Sequence, residues 1–399
     1  MSLDARTLPL WTLIVMVSTR CDGPVRTGSG KLSTEHNAGE GCGGGAGTSS
    51  VTGLRRRPQT GRGRRLPEPA VVVLGNGPDE MDQVTVVVPT RNRSALLRQT
   101  LASITAQEGV ETTIVVVDDA STDDTALVVA GLPDIRLIRH EVPTEQRIAR
   151  NHGAEVATTP WLAFCDDDDL WAPTKLSTQL AALRRTGADW CTSSALHVDG
   201  GLTPIGGERL RDPADIDRLI AGRNIVPGGG SGVVVRRSLF EGVGGFDDEA
   251  RFAEDWDLWI RLSRAGTVTC IDELLVAYRR WPHTYSHQAF DDQHASFRAV
   301  TDRAAAADSS APAVRPRRSS QFEARQRLGT ESRWAVARDL PRLVRQAPAD
   351  TVPILLMLGL PDSTLTSLRL RRLGRADVAR AEQWLAPYRQ GRHGIEAHT

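Results

Sequence analysis

The chain has 399 residues, 40% of them hydrophobic, which is enough for two domains or for one large domain with appendages. Its 49 basic and 49 acidic residues cancel, so bulk charge suggests no affinity for nucleic acid. The five cysteines are widely spaced with no Cys-x-x-Cys pair, which argues against a disulfide scaffold or a zinc site and fits a reducing compartment.

Residues 18–77 are rich in Gly, Ser, Thr, Pro and Arg, with Gly43-Gly44-Gly45 and Arg55-Arg56-Arg57 as extremes. Such a composition buries too little apolar surface to offset chain entropy. Residues 1–80 are therefore expected to be a disordered tail, or sequence upstream of the true start. The apolar stretch 8–17 makes a poor signal peptide, because only Arg6 precedes it, Asp4 opposes that charge and no clear cleavage site follows. No apolar run reaches the roughly 18 residues of a membrane span, and a cytoplasmic setting is expected.

Order is predicted from residue 84 onward. Residues 84–88 are a continuous β-branched run ended by Pro89, the pattern of a buried parallel strand. Ser94 is expected to cap a helix with Leu97, Leu101 and Ile104 on one face. A second buried strand at 113–117 runs into Asp118-Asp119, and Ser121 or Thr122 is expected to cap the helix that follows. A half-buried strand at 135–139, a helix at 146–156 and a strand at 161–165 complete a β-α-β-α-β-α-β order. That order implies a doubly wound, mostly parallel α/β sheet, whose ligand sits beyond the carboxyl ends of the strands.

Further elements follow: a helix at 173–185, a strand at 188–195, a helix capped by Asp212 through 221, a Gly-rich loop at 227–232 and a strand at 233–236. Glu254-Asp255-Trp256 opens a helix with Leu258 and Leu262 inward, and 268–271 and 274–278 read as closing strands. Residues 304–320 read as a linker and 321–399 as a helical region. Within it 352–360 could form a bundle core or, with flanking arginines, contact a membrane surface peripherally.

The most unusual stretch is 161–171, where a short apolar strand runs into Asp166, Asp167, Asp168 and Asp169. Two unit charges about 4 Å apart repel by roughly 4 kcal/mol at an effective dielectric of 20, so a positive partner is expected. A divalent cation carrying a phosphate is the simplest. The first strand is not followed by a G-x-G-x-x-G turn and no G-x-x-x-x-G-K-[ST] loop is present, which counts against dinucleotide-binding oxidoreductases and P-loop enzymes. The acidic run also lacks the Gly and terminal Glu of an EF-hand.

Five segments together resemble the family 2 glycosyltransferases of the GT-A fold. They are Val84 to Arg93 (VTVVVPTRNR), Val115 to Thr125 (VVVDDASTDDT), Ala149 to Gly153 (ARNHG), Phe164 to Trp171 (FCDDDDLW), and Gly244 to Asp247 (GGFD) with Glu254 to Trp259 (EDWDLW). The resemblance implies a GT-A domain at 81–303. It also implies inverting transfer of a sugar from a nucleotide-diphosphate-sugar donor to a carbohydrate or lipid-linked hydroxyl acceptor, as in cell-surface polysaccharide or glycolipid synthesis.

By the same resemblance, Asp119 accepts a hydrogen bond from the nucleotide base, with Pro89, Thr90 and Arg91 lining that pocket. Arg150 neutralises Asp119 or a phosphate. Asp166 and Asp168 form a D-x-D pair. If the segment is extended, both carboxylates point the same way, to hold Mg²⁺ or Mn²⁺. Asp167 and Asp169 would meet ribose or act as helix N-terminal charges. Asp255 is the general base, with Glu254 as the fallback. The family's His after Tyr-Arg is displaced here, since Trp281 follows Arg280, which leaves His283 or His287 as a further ligand. Two other readings stay open: a nucleotidyltransferase on a related sheet, and a non-catalytic sugar-nucleotide or carbohydrate-binding protein, which would not need Asp255.

Overall fold

Along β1 (Gln83–Thr90), Val84, Val86 and Val88 enter one apolar cluster while Val87 enters another. The same alternation holds in β2 (Glu111–Asp118), where Ile114 and Val116 face one way and Val115 and Val117 the other. Strands buried on both faces need no polar alternation, which is why their sequences are continuous β-branched runs. The structure, a computed structural model, describes residues 83–132, 134–250, 252–281, 287–307, 333–346 and 351–389. All of them fall in one compact unit, Val72–Thr399. The expected tail at 1–80, most of the expected linker at 304–320 and the candidate ligand His283 lie outside the described residues, as does the His287 side chain.

The first half of the sheet is regular. Strands β3 (Ile135–Arg139), β2, β1 and β4 (Trp161–Phe164) lie side by side and parallel. Helix α1 (Ser94–Thr105) covers one face with Leu97, Leu101 and Ile104. A short helix α2 (Thr125–Ala130) follows β2, and α3 (Gln146–Glu155) covers the opposite face. Helix α3 lies close on β1: a Cβ on Gly153 would come within 2.3 Å of Val87 Cγ1, so no larger residue fits without a shift.

Asp123, in the loop after β2, takes the place of both expected caps. Ser94 is the first residue of α1, and its N–H donates to Asp123 Oδ2 at 3.0 Å. Asp123 Oδ1 also accepts the N–H of Thr125 at 3.1 Å, so neither Ser121 nor Thr122 caps α2. Although burial raises its pKa, the Thr125 and Ser94 donors outweigh it and hold the Asp123 carboxyl down at about 2. One carboxylate thus joins the starts of two helices and ties the β1 and β2 loops together.

The second half is mixed. Beyond β4 come β8 (Val233–Arg236), antiparallel to it, then β6 (Trp190–Val198), β9 (Val268–Arg279) and the two-residue β5 (Leu170–Trp171). Strand β7 (Pro204–Glu208), which the sequence pattern does not announce, pairs with β6. The expected strands at 268–271 and 274–278 are a single strand. Its register against β6 shifts where Ile271 is followed by Leu274, which leaves Asp272 and Glu273 unpaired in the ladder.

Helix α4 (Lys175–Thr186) shares the α1 face. Two short helices, α5 (Ala214–Leu219) and α6 (Arg237–Gly242), lie on either side of β8 in sequence. Helices α7 (Glu254–Ala265) and α8 (His287–Ala307) share the face of α3. There Trp259 stacks on Trp190 with centroids 6.0 Å apart, a contact worth about 1 kcal/mol beyond area burial. The chain stays with the domain past residue 303, since Val300 and Ala304 are buried in this core.

The C-terminal helices divide their packing. Helices α9 (Arg333–Arg338), α10 (Leu340–Gln346) and α11 (Thr351–Gly359) share a small core of Val336, Leu343, Ile354 and Met357. Helices α12 (Asp362–Leu373) and α13 (Arg375–Arg389) instead bury Leu373, Val378, Ala381 and Leu385 against Leu196, Val198 and Ala277 of the sheet. Among the described residues no helix is long and apolar enough to cross a membrane.

Candidate active site

The loops at the carboxyl ends of β1, β2 and β4 meet on one rim. Asn92 couples the first two: its N–H donates to Ser121 Oγ at 2.9 Å and its Oδ1 accepts the N–H of Thr122 at 2.8 Å. Asp118 is wholly buried and turns the chain by accepting the Ser121 N–H at 2.9 Å. Asp119 faces a different set. Its Oδ1 meets His140 Nδ1, Thr144 N and Thr144 Oγ1, each at 2.8 Å. Burial raises the Asp119 pKa, but the bonds from His140 and Thr144 outweigh it and hold the carboxyl below its ordinary range. His140 in turn meets His152 Nδ1 through Nε2 at 2.9 Å. Of the other residues expected around Asp119, Pro89 is buried within β1, paired in register with Val117, and Arg91 is exposed just past the strand end.

The acidic run is a turn, not an extended segment, closed by Asp169 N–H donating to Asp166 O at 3.1 Å. The period-two argument for a shared direction of Asp166 and Asp168 therefore does not apply. The two charges still act on each other, since after burial Asp166 is the main influence raising the Asp168 pKa. Asp166 Oδ1 accepts from Arg150 Nη2 at 2.6 Å and from Gln146 Nε2 at 2.8 Å. Asp167 accepts from Thr90 Oγ1 at 2.7 Å and Arg93 Nη1 at 3.0 Å; burial pushes it up to about 6. Asp168 Oδ2 takes both Arg93 Nη1 at 2.9 Å and the Trp281 indole N–H at 2.8 Å.

Asp169 belongs to the framework. It is fully buried, and its carboxylate accepts from Ser231 Oγ at 2.6 Å and from the backbone N–H of Arg279 at 2.9 Å. A ribose cannot reach it, and it opens no helix. It joins β9 to the Gly-rich loop, where Gly228 and Gly229 take positive φ (68° and 53°) and lead into the 3₁₀ turn Gly229–Gly232. Ser231 in that turn also accepts the Asp166 N–H at 3.0 Å.

Arg150 does not pair with Asp119. Its guanidinium is buried, lies 5.2 Å from the Phe246 ring centroid, and spans Asp166 and Glu254, with Nη1 donating to Glu254 Oε1 at 3.2 Å. One cation thus connects the acidic turn after β4 to the start of α7. Burial pushes Glu254 up to about 7, against the pull of Arg150 and with the help of the Asp255 charge. Asp255 is raised too, again chiefly by burial. It accepts from Asn224 Nδ2 at 3.2 Å and from the Trp256 N–H at 2.6 Å. A Cβ on Gly229 would lie 3.6 Å from Asp255 Oδ2, so the Gly-rich loop passes directly over this carboxylate.

The counter-charge that four adjacent carboxylates require is therefore already in the chain, as Arg150 on Asp166 and Arg93 on Asp167 and Asp168. Sequence reasoning placed Arg93 in a motif but assigned it no role, and it missed Gln146, His140, Asn224 and Ser231. These partners lie far apart in the chain, so no local pattern marks them. Among the described residues no three His, Cys, Asp or Glu side chains are grouped to hold a metal unaided. The donor set of Asp166 and Asp168 still fits Mg²⁺ or Mn²⁺ chemistry, because such ions commonly take one or two carboxylates and complete their shell with phosphate oxygens and water.

The glycosyl transferase family 2 model matches residues 85–244. An uncharacterized glycosyltransferase of Haemophilus influenzae is 25% identical over 47% of this chain, which covers 64% of that relative's length. The chain thus spans less than two thirds of this relative. A PGL/p-HBAD biosynthesis glycosyltransferase of Mycobacterium bovis is 32% identical over 48% of this chain and 75% of its own. The S. aureus TarS 1–349 structure in complex with UDP-GlcNAc aligns with 77% of this chain and 92% of its own, at 16% identity and a TM-score of 0.47. The family-model match and the identity to the mycobacterial protein over three quarters of its length together show that the chain belongs to glycosyl transferase family 2.

Proposed function

We propose that the protein is an inverting glycosyltransferase that moves a sugar from a nucleotide-diphosphate donor to a hydroxyl acceptor. The observation that carries this reading is the Arg150 bridge, which links the carboxylate turn after β4 to the Glu254-Asp255 start of α7. A site that only binds a nucleotide sugar needs the first; transfer needs both, side by side.

At the nucleotide end, all three bonds on Asp119 fall on Oδ1, and Oδ2 is the oxygen offered to an N–H of the base. Asp119 is ionised at neutral pH, so it acts only as an acceptor. Thr90 and Arg93 orient Asp167 toward the ribose and diphosphate side. Asp168 and Asp166 would hold Mg²⁺ or Mn²⁺, which when bound supplies Lewis-acid stabilisation of the departing diphosphate.

At the acceptor end, Asp255 takes the proton of the attacking hydroxyl on the face opposite the leaving group. A base with a raised pKa is a stronger proton acceptor, and burial provides that here. Asn224 and the Trp256 N–H fix the carboxylate's orientation, and Glu254, held by Arg150, keeps a second acidic group close by. The acceptor is proposed to be a carbohydrate or lipid-linked hydroxyl of cell-surface polysaccharide or glycolipid assembly. The mycobacterial relative, named for PGL/p-HBAD biosynthesis, is in keeping with such a biosynthetic role. The site faces a cytoplasmic donor pool in this reading.

Titration calorimetry with a panel of nucleotide sugars, with and without Mn²⁺, tests the proposal. Binding of at least one of them, strengthened by Mn²⁺, is expected. Heat from none of them would sink it.

A further inference from the structure

Arg93 stands out among the side chains on the rim. Its guanidinium reaches both Asp167 Oδ1 and Asp168 Oδ2 through the single nitrogen Nη1, and its side chain is 44% exposed. Arg150, by contrast, is locked in the interior at 3%. The remaining bond on Asp168 Oδ2 comes from Trp281, whose indole is seated against Gly200, where a Cβ would come within 3.0 Å of the ring. A carboxylate oxygen that already accepts from a guanidinium and an indole is partly occupied for any cation that approaches it.

We infer that Arg93 is a resident counter-cation that competes with a divalent ion for Asp168, and that loading of the site moves Arg93 off this carboxylate. The inference rests on the metal-assisted donor site proposed above. Three features support it. The guanidinium is on the solvent side of the turn and on a long flexible stem, so it can leave without disturbing the core. Asp167 keeps a second donor, Thr90, when Arg93 departs. A divalent ion and a guanidinium close to the same oxygen repel each other, so they cannot both be held there at full strength. Arg93 would thus keep the turn charge-balanced while no ion is bound. It would also weaken ion binding until a donor diphosphate arrives to help displace it and to accept its hydrogen bonds. It acts as a positioning residue, not as a group that touches the reacting atoms.

Manganese binding read by electron paramagnetic resonance, on the full chain without nucleotide, tests this directly. R93Q is expected to bind Mn²⁺ about tenfold more tightly than the unsubstituted protein, because a half-exposed charge has been removed from the ion's position. R93K, which keeps the charge, should stay close to the unsubstituted protein, and W281F should tighten binding less than R93Q does. Equal or weaker Mn²⁺ binding by R93Q overturns the competition while leaving the donor site standing. If neither protein binds Mn²⁺ even with UDP or GDP added in turn, the metal-assisted reading fails, and the inference falls with it.

Discussion

The two ends of the site use carboxylates in opposite ways. Asp119 receives three hydrogen bonds on one oxygen from His140 and Thr144, and its pKa falls despite burial. Glu254 and Asp255 are also withdrawn from water, but they have fewer donors and lie beside each other and near Asp166, so burial wins and their pKa values rise. The direction of a shift is thus set by the balance of desolvation, hydrogen-bond donors and neighbouring like charge. One end suits a permanent acceptor for a base. The other suits a group that must take up a proton.

The strongest way to break that contrast is Asp255→Asn, which removes the proton acceptor and keeps the shape. Turnover is expected to fall by about 10³-fold, within the range of general-base losses, while donor affinity by calorimetry changes less than about twofold. Turnover within a few-fold of the unsubstituted rate would exclude Asp255 as the base.

Arg150→Met tests whether the bridge holds the two ends together. It leaves Asp166 and Glu254 without their buried counter-ion, so the stability measured by urea unfolding should drop by about 3–5 kcal/mol. Glu254 should then titrate higher still. A loss below about 1 kcal/mol would mean that the pair is a bystander.

At the nucleotide end, Asp119→Asn should weaken nucleotide binding about tenfold, roughly the worth of one charge-assisted hydrogen bond, with little effect on the pH at which turnover rises. An unchanged nucleotide Kd would remove Asp119 from the base pocket.

The smallest effect is on stability against pH, and its sign differs from one carboxylate to another. Asp167, at about 6, and Glu254, at about 7, bind protons more tightly folded than unfolded. Their contribution is present in acid and is lost as pH rises from about 4 to about 7. Asp119 and Asp123, with lowered values, contribute above about pH 4 and lose that contribution as pH falls further. Thermal unfolding from pH 5 to about pH 6.5, below the value of about 7 to which burial lowers the Lys175 ammonium, should therefore show Tm falling as pH rises, and Glu254→Gln should flatten that slope. A Tm that climbs across this range, or an unaltered slope in the variant, would contradict the assignment.

How much could be read beforehand depends on how local the physics is. The β-branched runs of β1 and β2, the helix faces of α1 and α4 and the acidic rim all follow from patterns a few residues long. Burial on both faces of the sheet enforces the strand runs, and burial of one stripe enforces the helix faces. Strand β5 has two residues and exists only because β9 lies beside it, and β7 contains Gly206 and Gly207 where a strand pattern would be apolar. The helix starts were placed nearly correctly while their caps were assigned to the wrong residues. The reason is that Asp123 reaches Ser94 from 29 residues away, which no capping pattern records.

What the sequence by itself determined is the identity and order of the chemistry: carboxylates at the ends of β2 and β4, an Arg in α3, and a Glu-Asp pair opening α7. Side-chain type and strand-end position follow from short-range propensity and hydrophobic period. Tertiary structure alone decided which charges meet. It assigned Arg150 to Asp166 and Glu254, 104 residues away, and Arg93 to Asp168, 75 residues away. It also buried Asp169 as a brace bonded to the N–H of Arg279, 110 residues away. Ion pairing acts through space over a few ångströms, and the chain separation of partners is set by how the sheet closes, so that layer of the site becomes legible only when the fold is in hand.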